Sequence, residues 1–505
     1  MAHNGHADDS GHSAKGVMSG GGTVPFRLPS GALDFLDRNQ YSLAMEIEAY
    51  YPDIDLKFFG DEYTCLWTKN QRRLIAYAGG WVDITNPLKV EVIRESNLAT
   101  FQSCIYNERL KKWLRIVSYQ MPLTPGTPNY PRGKYHEEYA KKAVSYSGFR
   151  GIKVYDVTQP EKPSLLDEFN TGSTGAGVHL SFYDGGQYAY LSCGWDDQFR
   201  MESSERVYGN GLMIVDMTDP AKVKEVSRWW ISGQRLDEED EYKNTYPFAG
   251  DQCSWTSNRV PCIVPQRIED GGTLGYGGWG HFGFYVHDLT DIKKPRILGK
   301  TSHPMEPLGG IPYHHIVPVG PIIDKKYAHL DNLVIAVPEA LEADYREPFR
   351  LPYVIDVKNP KSPQIIGLFP RPIPHQDAPY KDFAMARGRF SSRVMHNWIA
   401  PGQARHNIVA MSYLNAGLRL YDINNPASPK EVAYFVPSRV GEIDDYLSWR
   451  RGTAEAVFIE WDRNLIWLGT HAGLYCLSSP VLGQPILKPK KVTQWSVPHV
   501  NRNTP

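Results

Sequence analysis

Cysteine is scarce in this sequence and scattered. Cys65, Cys104, Cys193, Cys253, Cys262 and Cys476 are spread over 505 residues, and no two form a CxxC pair. That pattern excludes a dense disulfide frame and argues for reduced, mostly buried thiols in a cytoplasmic chain. Long apolar runs are also missing. None approaches the roughly 18–20 residues that cross a bilayer, so no membrane partner is expected. The opening MAHNGHADDSGHSAKGVMSGGG has no apolar core of a secretory signal. Charge of one sign is not in excess either: the formal net charge is -1. Without a basic stripe, nucleic acid is not an expected partner.

Familiar catalytic signatures are absent as well. There is no Walker A loop, no GxSxG and no HExxH. GYGGWG at 275–280 spells GxGxxG, but it lies in a strand-rich stretch with no helix after it, so no nucleotide cofactor is expected.

What the sequence does have is turn and strand chemistry. Its 30 Tyr, 13 Trp, 44 Gly and 38 Pro favour many short strands joined by tight turns. One phrase returns along the chain: GGWVDITNPLKV (79–90), GIKVYDVTQPEKP (151–163), GLMIVDMTDPAKV (211–223), FYVHDLTDIKKP (284–295), PYVIDVKNPKSP (352–363) and GLRLYDINNPASP (417–429). A weaker copy, GLYCLSSPVLGQP (473–485), has Cys476 where the others have aspartate. The alternating Val, Ile and Tyr make a pleated, half-buried strand. The aspartates (Asp83, Asp156, Asp216, Asp288, Asp356 and Asp422) suit the turn that follows, where a carboxylate accepts backbone N–H groups. They are read as structural.

A second hairpin precedes most copies, as in TCLWTKNQRRLIAYA, HLSFYDGGQYAYLS and AVFIEWDRNLIWLG. Two hairpins make a four-stranded unit, and seven such units predict an all-β, seven-bladed β-propeller. The phrase resembles that of LVIVD-repeat propeller proteins, a likeness covering about residues 60–490 that implies a fold and no particular activity. The expected organisation is a flexible tail (1–22), an N-terminal extension with a helix around 31–50 (23–58), the propeller (59–490) and a C-terminal tail (491–505). Either the N-terminal region or KKVTQWSV could supply the strand that closes the last blade.

The connections are unequal. Those within hairpins are short, whereas those between hairpins are long, for example SGQRLDEEDEYKNTYPFAGD and RPIPHQDAPYKDFAMARGRFSS. All the long ones fall on one face of a propeller, which places the candidate site there. The first strand of each blade starts on that face. Aligning the units brings His179, His315 (or its neighbour His314), His396 and Glu455 to equivalent positions. Three imidazoles and a carboxylate suit a divalent transition metal, iron, copper, manganese or zinc. Asp251 and His471 join His396 and Glu455 as candidate catalytic groups, and Trp195, Trp279, Tyr313, Trp398 and Tyr413 as candidate walls of a pocket for a flat or apolar molecule.

The expected function is therefore a metal-dependent enzyme, an oxidoreductase, oxygenase or lyase, acting on a small organic substrate. Two alternatives stand beside it: a non-catalytic propeller that binds through its loops, and a metal-free acid–base lyase, isomerase or hydrolase using the same residues. A homo-oligomer is compatible with each.

Overall fold

The computed structural model describes residues 40–52, 54, 66–70, 72–77, 80–94, 101–121, 145–199, 210–245, 260–302, 311–322, 324–340, 349–378, 380–386, 388–396, 405–437, 454–470 and 473–483. They form seven four-stranded antiparallel sheets, the blades of a seven-bladed β-propeller. In chain order, blade 1 comprises Leu66–Lys69, Arg72–Tyr77, Gly80–Asp83 and Glu91–Arg94. Blade 2 comprises Phe101–Asn107, Lys112–Tyr119, Gly151–Asp156 and Ser164–Asn170, and blade 3 Gly177–Tyr183, Tyr188–Gly194, Gly211–Asp216 and Lys224–Trp229. Blade 4 comprises Val260–Ile263, Leu274–Gly278, Phe284–Asp288 and Arg296–Thr301, and blade 5 Ile311–Pro318, Leu333–Glu339, Tyr353–Asp356 and Gln364–Leu368.

The last two blades recruit the N-terminus. Strand β1 (Tyr41–Leu43) pairs with Lys430–Val436 at the edge of blade 6, beside Leu418–Asp422 and Ile408–Ser412. Strand β2 (Glu46–Tyr51) pairs antiparallel with Gly473–Ser478 and completes blade 7, which otherwise comprises Ala454–Glu460 and Leu465–Thr470. The N-terminal region, not KKVTQWSV, therefore supplies the outer strand of the last blade.

This corrects the helix expected around 31–50, of which residues 40–50 are described. Met45, Ile47, Ala49 and Tyr51 are buried while Glu46 and Glu48 between them are partly exposed. The alternation holds from Met45 to Ala49, and a register shift between Ile47 and Ala49 lets Tyr50 be buried as well, so the segment is a strand with a bulge. Ile47 and Tyr50 pack with residues of blades 6 and 7, Ala49 and Tyr51 with residues of blades 7 and 1. A strand buried on both faces gains about 1.5–3 kcal/mol for each large apolar side chain, more than helix propensity could oppose.

The repeated phrase does what its chemistry predicts. In all six copies the aspartate accepts the backbone N–H two residues on: Thr85, Thr158, Thr218, Thr290, Lys358 and Asn424 donate at 2.7–3.0 Å. Hydrogen bonds from Thr290 hold the Asp288 carboxyl below its ordinary range, and its 2.7 Å bond from Arg296 adds to this. The glycine that opens the phrase is also required. Gly151 has φ +144°, and a Cβ there would lie 2.0 Å from the Phe169 carbonyl oxygen in the next strand.

Two compact units emerge. The first holds residues 1–97, 317–355 and 366–505, and the second residues 98–316 and 356–365. In the first, blades 6 and 7 share one core around Leu420, Phe435, Val457 and Leu468, and blades 7 and 1 another around Ile75, Val82, Phe458 and Trp467. In the second, blades 2 and 3 share a core around Ile116, Val154, Leu191 and Met213. The four described cysteines, Cys104, Cys193, Cys262 and Cys476, are free and buried. Among the described residues no helix is long and apolar enough to cross a membrane.

Candidate functional site

His179 lies in the first strand of blade 3, His314 and His315 in that of blade 5, and Glu455 in that of blade 7. His396 ends a short segment bridged to Ile408–Ser412 through Met395 and Met411. Asp251, His471 and Trp398 lie outside the described residues. Among the described residues no group of three or more His, Cys, Asp or Glu side chains is arranged to hold a metal ion.

In the first unit, His396 is committed to the backbone. Its Nδ1 accepts the Ala410 N–H at 2.9 Å, while its own N–H donates to the Ala410 carbonyl at 2.9 Å. Nδ1 also lies 3.3 Å from the Ala410 carbonyl oxygen, so in either tautomer this ring nitrogen is engaged by the Ala410 backbone. Burial depresses its pKa to about 4, against a smaller upward pull from the Ala410 carbonyl, 3.3 Å from Nδ1. A base so weak is a poor proton acceptor at neutral pH. The structure gives His396 a strand-pairing role.

Glu455 belongs to a different arrangement, which sequence reasoning missed. Arg393 Nε donates to Glu455 Oε2 at 3.2 Å and lies 3.3 Å from Glu339 Oε1. Arg389 Nη1 donates to Glu339 Oε1 at 2.8 Å and to the Ala340 carbonyl at 2.7 Å, and its Nη2 stands 4.0 Å from Glu455 Oε1. Glu339 ends the second strand of blade 5, Arg389 and Arg393 precede the strands of blade 6, and Glu455 is the second residue of blade 7. All four are 9% exposed or less. Among the described residues, two guanidiniums and two carboxylates thus meet at the ends of three blades, the kind of pairing under which buried ions are tolerated. The available signal was the spacing of Arg389 and Arg393, four residues apart in RGRFSSR.

In the second unit, His179 Nδ1 is 2.9 Å from Gln120 Oε1. An amide oxygen only accepts, so Nδ1 carries the proton and Nε2 the lone pair. His314 and His315 are both fully buried, and as neighbours in a strand they point to opposite faces.

Of the expected pocket walls, Trp195 packs edge-on against Phe199 with ring centroids 4.6 Å apart, and Arg228 sits 5.1 Å over its ring. Trp279, fully buried, packs edge-on against Trp229 at 4.9 Å beside Tyr285 and His287. Both are buried. Tyr313 is buried in the first strand of blade 5. Tyr413 is buried beside blade 6, in contact with Phe390 at 6.2 Å.

No protein family model matches the chain, and no curated protein matches it. Solved structures similar to it include the β-propeller domain of Myceliophteria thermophila Cps50 (Swd1), at 10% identity and TM-score 0.44, covering 83% of this chain and 97% of that one. Sqt1 from Chaetomium thermophilum is similar at 7% identity and TM-score 0.43, covering 82% of this chain and 80% of that one. The extracellular domain of a putative hybrid two-component system from B. thetaiotaomicron is similar at 12% identity and TM-score 0.35, covering 83% of this chain and 40% of that one.

Proposed function

We propose that the chain is a binding propeller whose ligand is a small, net-neutral, dipolar organic molecule, taken at the strand ends of blades 5, 6 and 7. The observation that carries this is the Arg389–Glu339–Arg393–Glu455 network, in which two positive and two negative buried side chains pair among the described residues. A ligand with a net charge would leave one of them uncompensated, which is costly in a low dielectric. A zwitterion exchanges one internal pair for two ligand pairs and keeps the sum at zero.

A thermal-shift screen of amino acids and betaines tests this. Zwitterions should raise the melting temperature saturably, monoanions of equal size should not, and Arg393→Met should abolish the response. Equal shifts in wild type and Arg393→Met would sink the reading.

The metal-dependent oxidoreductase or lyase reading keeps one supporting contact. Gln120 holds the Nδ1 side of His179, the kind of contact that orients metal-ligating histidines. A metal held that way would depend on His179 and not on His396.

A further inference from the structure

The first two strands of blade 5 are joined by a connection longer than its counterparts in blades 1, 2, 3, 4 and 7, and within it lies a 3-10 helix, Lys325–Leu330. Asp324 caps the helix by accepting the Lys326 N–H at 2.9 Å. Residues three apart eclipse in a 3-10 helix, and Tyr327 and Leu330 are its buried pair. Lys325, Lys326, Ala328 and His329 are exposed.

This helix meets blade 6 at two points. His329 Nε2 donates to the Asn424 carbonyl at 3.0 Å, on the surface. The Tyr327 ring stands 5.8 Å from that of His406, just ahead of the strand Ile408–Ser412. His406 is 3% exposed, and neither of its ring nitrogens has a hydrogen-bond partner among the described residues. The chain next to it is tied down: Asn407 donates to the Asp422 carboxylate at 2.9 Å and accepts the Ile423 N–H at 2.8 Å.

An imidazole buried without a hydrogen bond is tolerated only uncharged. The charged and titratable groups of the two elements that meet here are Asp324, Lys325, Lys326, Tyr327 and His329 with the helix, and Arg405 and Asp422 in blade 6. Of these, Asp324 acts on the ring and favours its protonated form, but burial outweighs it and holds the pKa at about 4. Freed from burial, a histidine titrates near 6.5. Acid therefore pulls toward any arrangement that uncovers the ring.

Two rearrangements do so: unfolding blade 6, or lifting the helix from it. Blade 6 is a four-stranded ladder sharing a core with blade 7, whereas the helix is six residues with two buried side chains. The smaller, less buried unit opens at the lower cost.

We propose that the helix Lys325–Leu330 is an acid-released clasp on blade 6. Neutral His406 lets Tyr327 seat on it, and protonation of the ring lifts the helix while the blade stays folded. The contribution is complete above about pH 6.5 and is lost as pH falls toward 4. The clasp is separate from the Arg389–Arg393 network and stands whether or not that network binds zwitterions.

Hydrogen exchange of the full chain at pH 7 and pH 5, corrected for intrinsic exchange, tests it. The amides of Tyr327 and Asp331, bonded to the Asp324 and Ala328 carbonyls, should open about 20-fold more often at pH 5. Those of Ile408–Ser412 should keep their protection. His406→Phe and His406→Gln, neither of which titrates, should each remove the acid response, and His329→Gln should keep it. Unchanged opening of the helix amides between the two pH values would overturn the proposal. So would an equal loss of protection throughout blade 6, or an acid response that survives in both His406 variants.

Discussion

Glu460→Ala should lower the unfolding free energy by about 3–5 kcal/mol, the range for removing one partner of a buried ion pair. Glu460 is fully buried at the end of the first strand of blade 7. Arg73 of blade 1 donates to it at 2.8 Å, Trp467 Nε1 at 2.7 Å and Arg463 Nε at 3.1 Å. Arg463 also donates to the carbonyls of Ile84 and Thr85 at 2.9 and 2.8 Å. One carboxylate thus organises the junction of the last blade with the first, inside the unit that contains both. Alanine strands an indole N–H and takes a carboxylate from two guanidiniums, of which Arg73 keeps Asp462 and Arg463 keeps the two carbonyls. Glu460→Gln, which keeps one acceptor oxygen, should lose markedly less. Urea unfolding midpoints of the two variants check the ranking, and equal losses would mean that the junction rests on packing alone.

Stability should peak near pH 6.5. His287, His396 and His406 are buried neutral, and burial depresses their pKa values to about 3, about 4 and about 4. The unfolded chain takes up those protons below about pH 6.5, so the stability these three groups contribute is complete above that pH and is lost as pH falls toward 4. Asp184 works the other way. Burial, with Glu269 nearby, raises its pKa to about 8, against smaller downward pulls from the Gly186 N–H and Arg267. The folded chain therefore keeps a proton that an unfolded aspartate releases near pH 4, and this contribution is lost as pH rises toward 8.

Between about pH 4 and 6.5 the three histidines outweigh the one carboxyl. Above that, Asp184 contributes a decline of about 1.4 kcal/mol per pH unit. Asp184→Asn keeps the acceptor for the Gly186 N–H, 2.8 Å away, and should flatten only the alkaline side. Denaturation curves from pH 4 to 8 give both slopes, and an unaltered alkaline slope in the variant would contradict the assignment.

Much of the fold was legible because the repeated phrase combines a strand period with a turn whose chemistry is local. An aspartate that accepts the N–H two residues on needs nothing distant, so Asp83 through Asp422 could be assigned from neighbours in the chain. Strand β2 could not. EIEAYY reads as either period over six residues, and only an open blade edge hundreds of residues away decides it.

The site divides the same way. That His179, His315 and Glu455 share a blade position follows from the repeat. That Nδ1 of His396 is taken by the Ala410 N–H, and that Arg393 lies beside Glu455, depend on how blade 6 meets its neighbours. Trp279 shows the limit of composition, since an aromatic near a loop lines a pocket or fills a core according to what packs on it, here Trp229.

The account turns on His396 and Glu455 being committed within the fold, one to a backbone amide and the other to Arg393. Elemental analysis of protein purified without an affinity tag, as wild type, His396→Ala and Glu455→Gln, tests this most directly. Transition-metal content should be the same in all three. A stoichiometric metal in the wild type that is lost in both variants would show that these side chains are ligands after all.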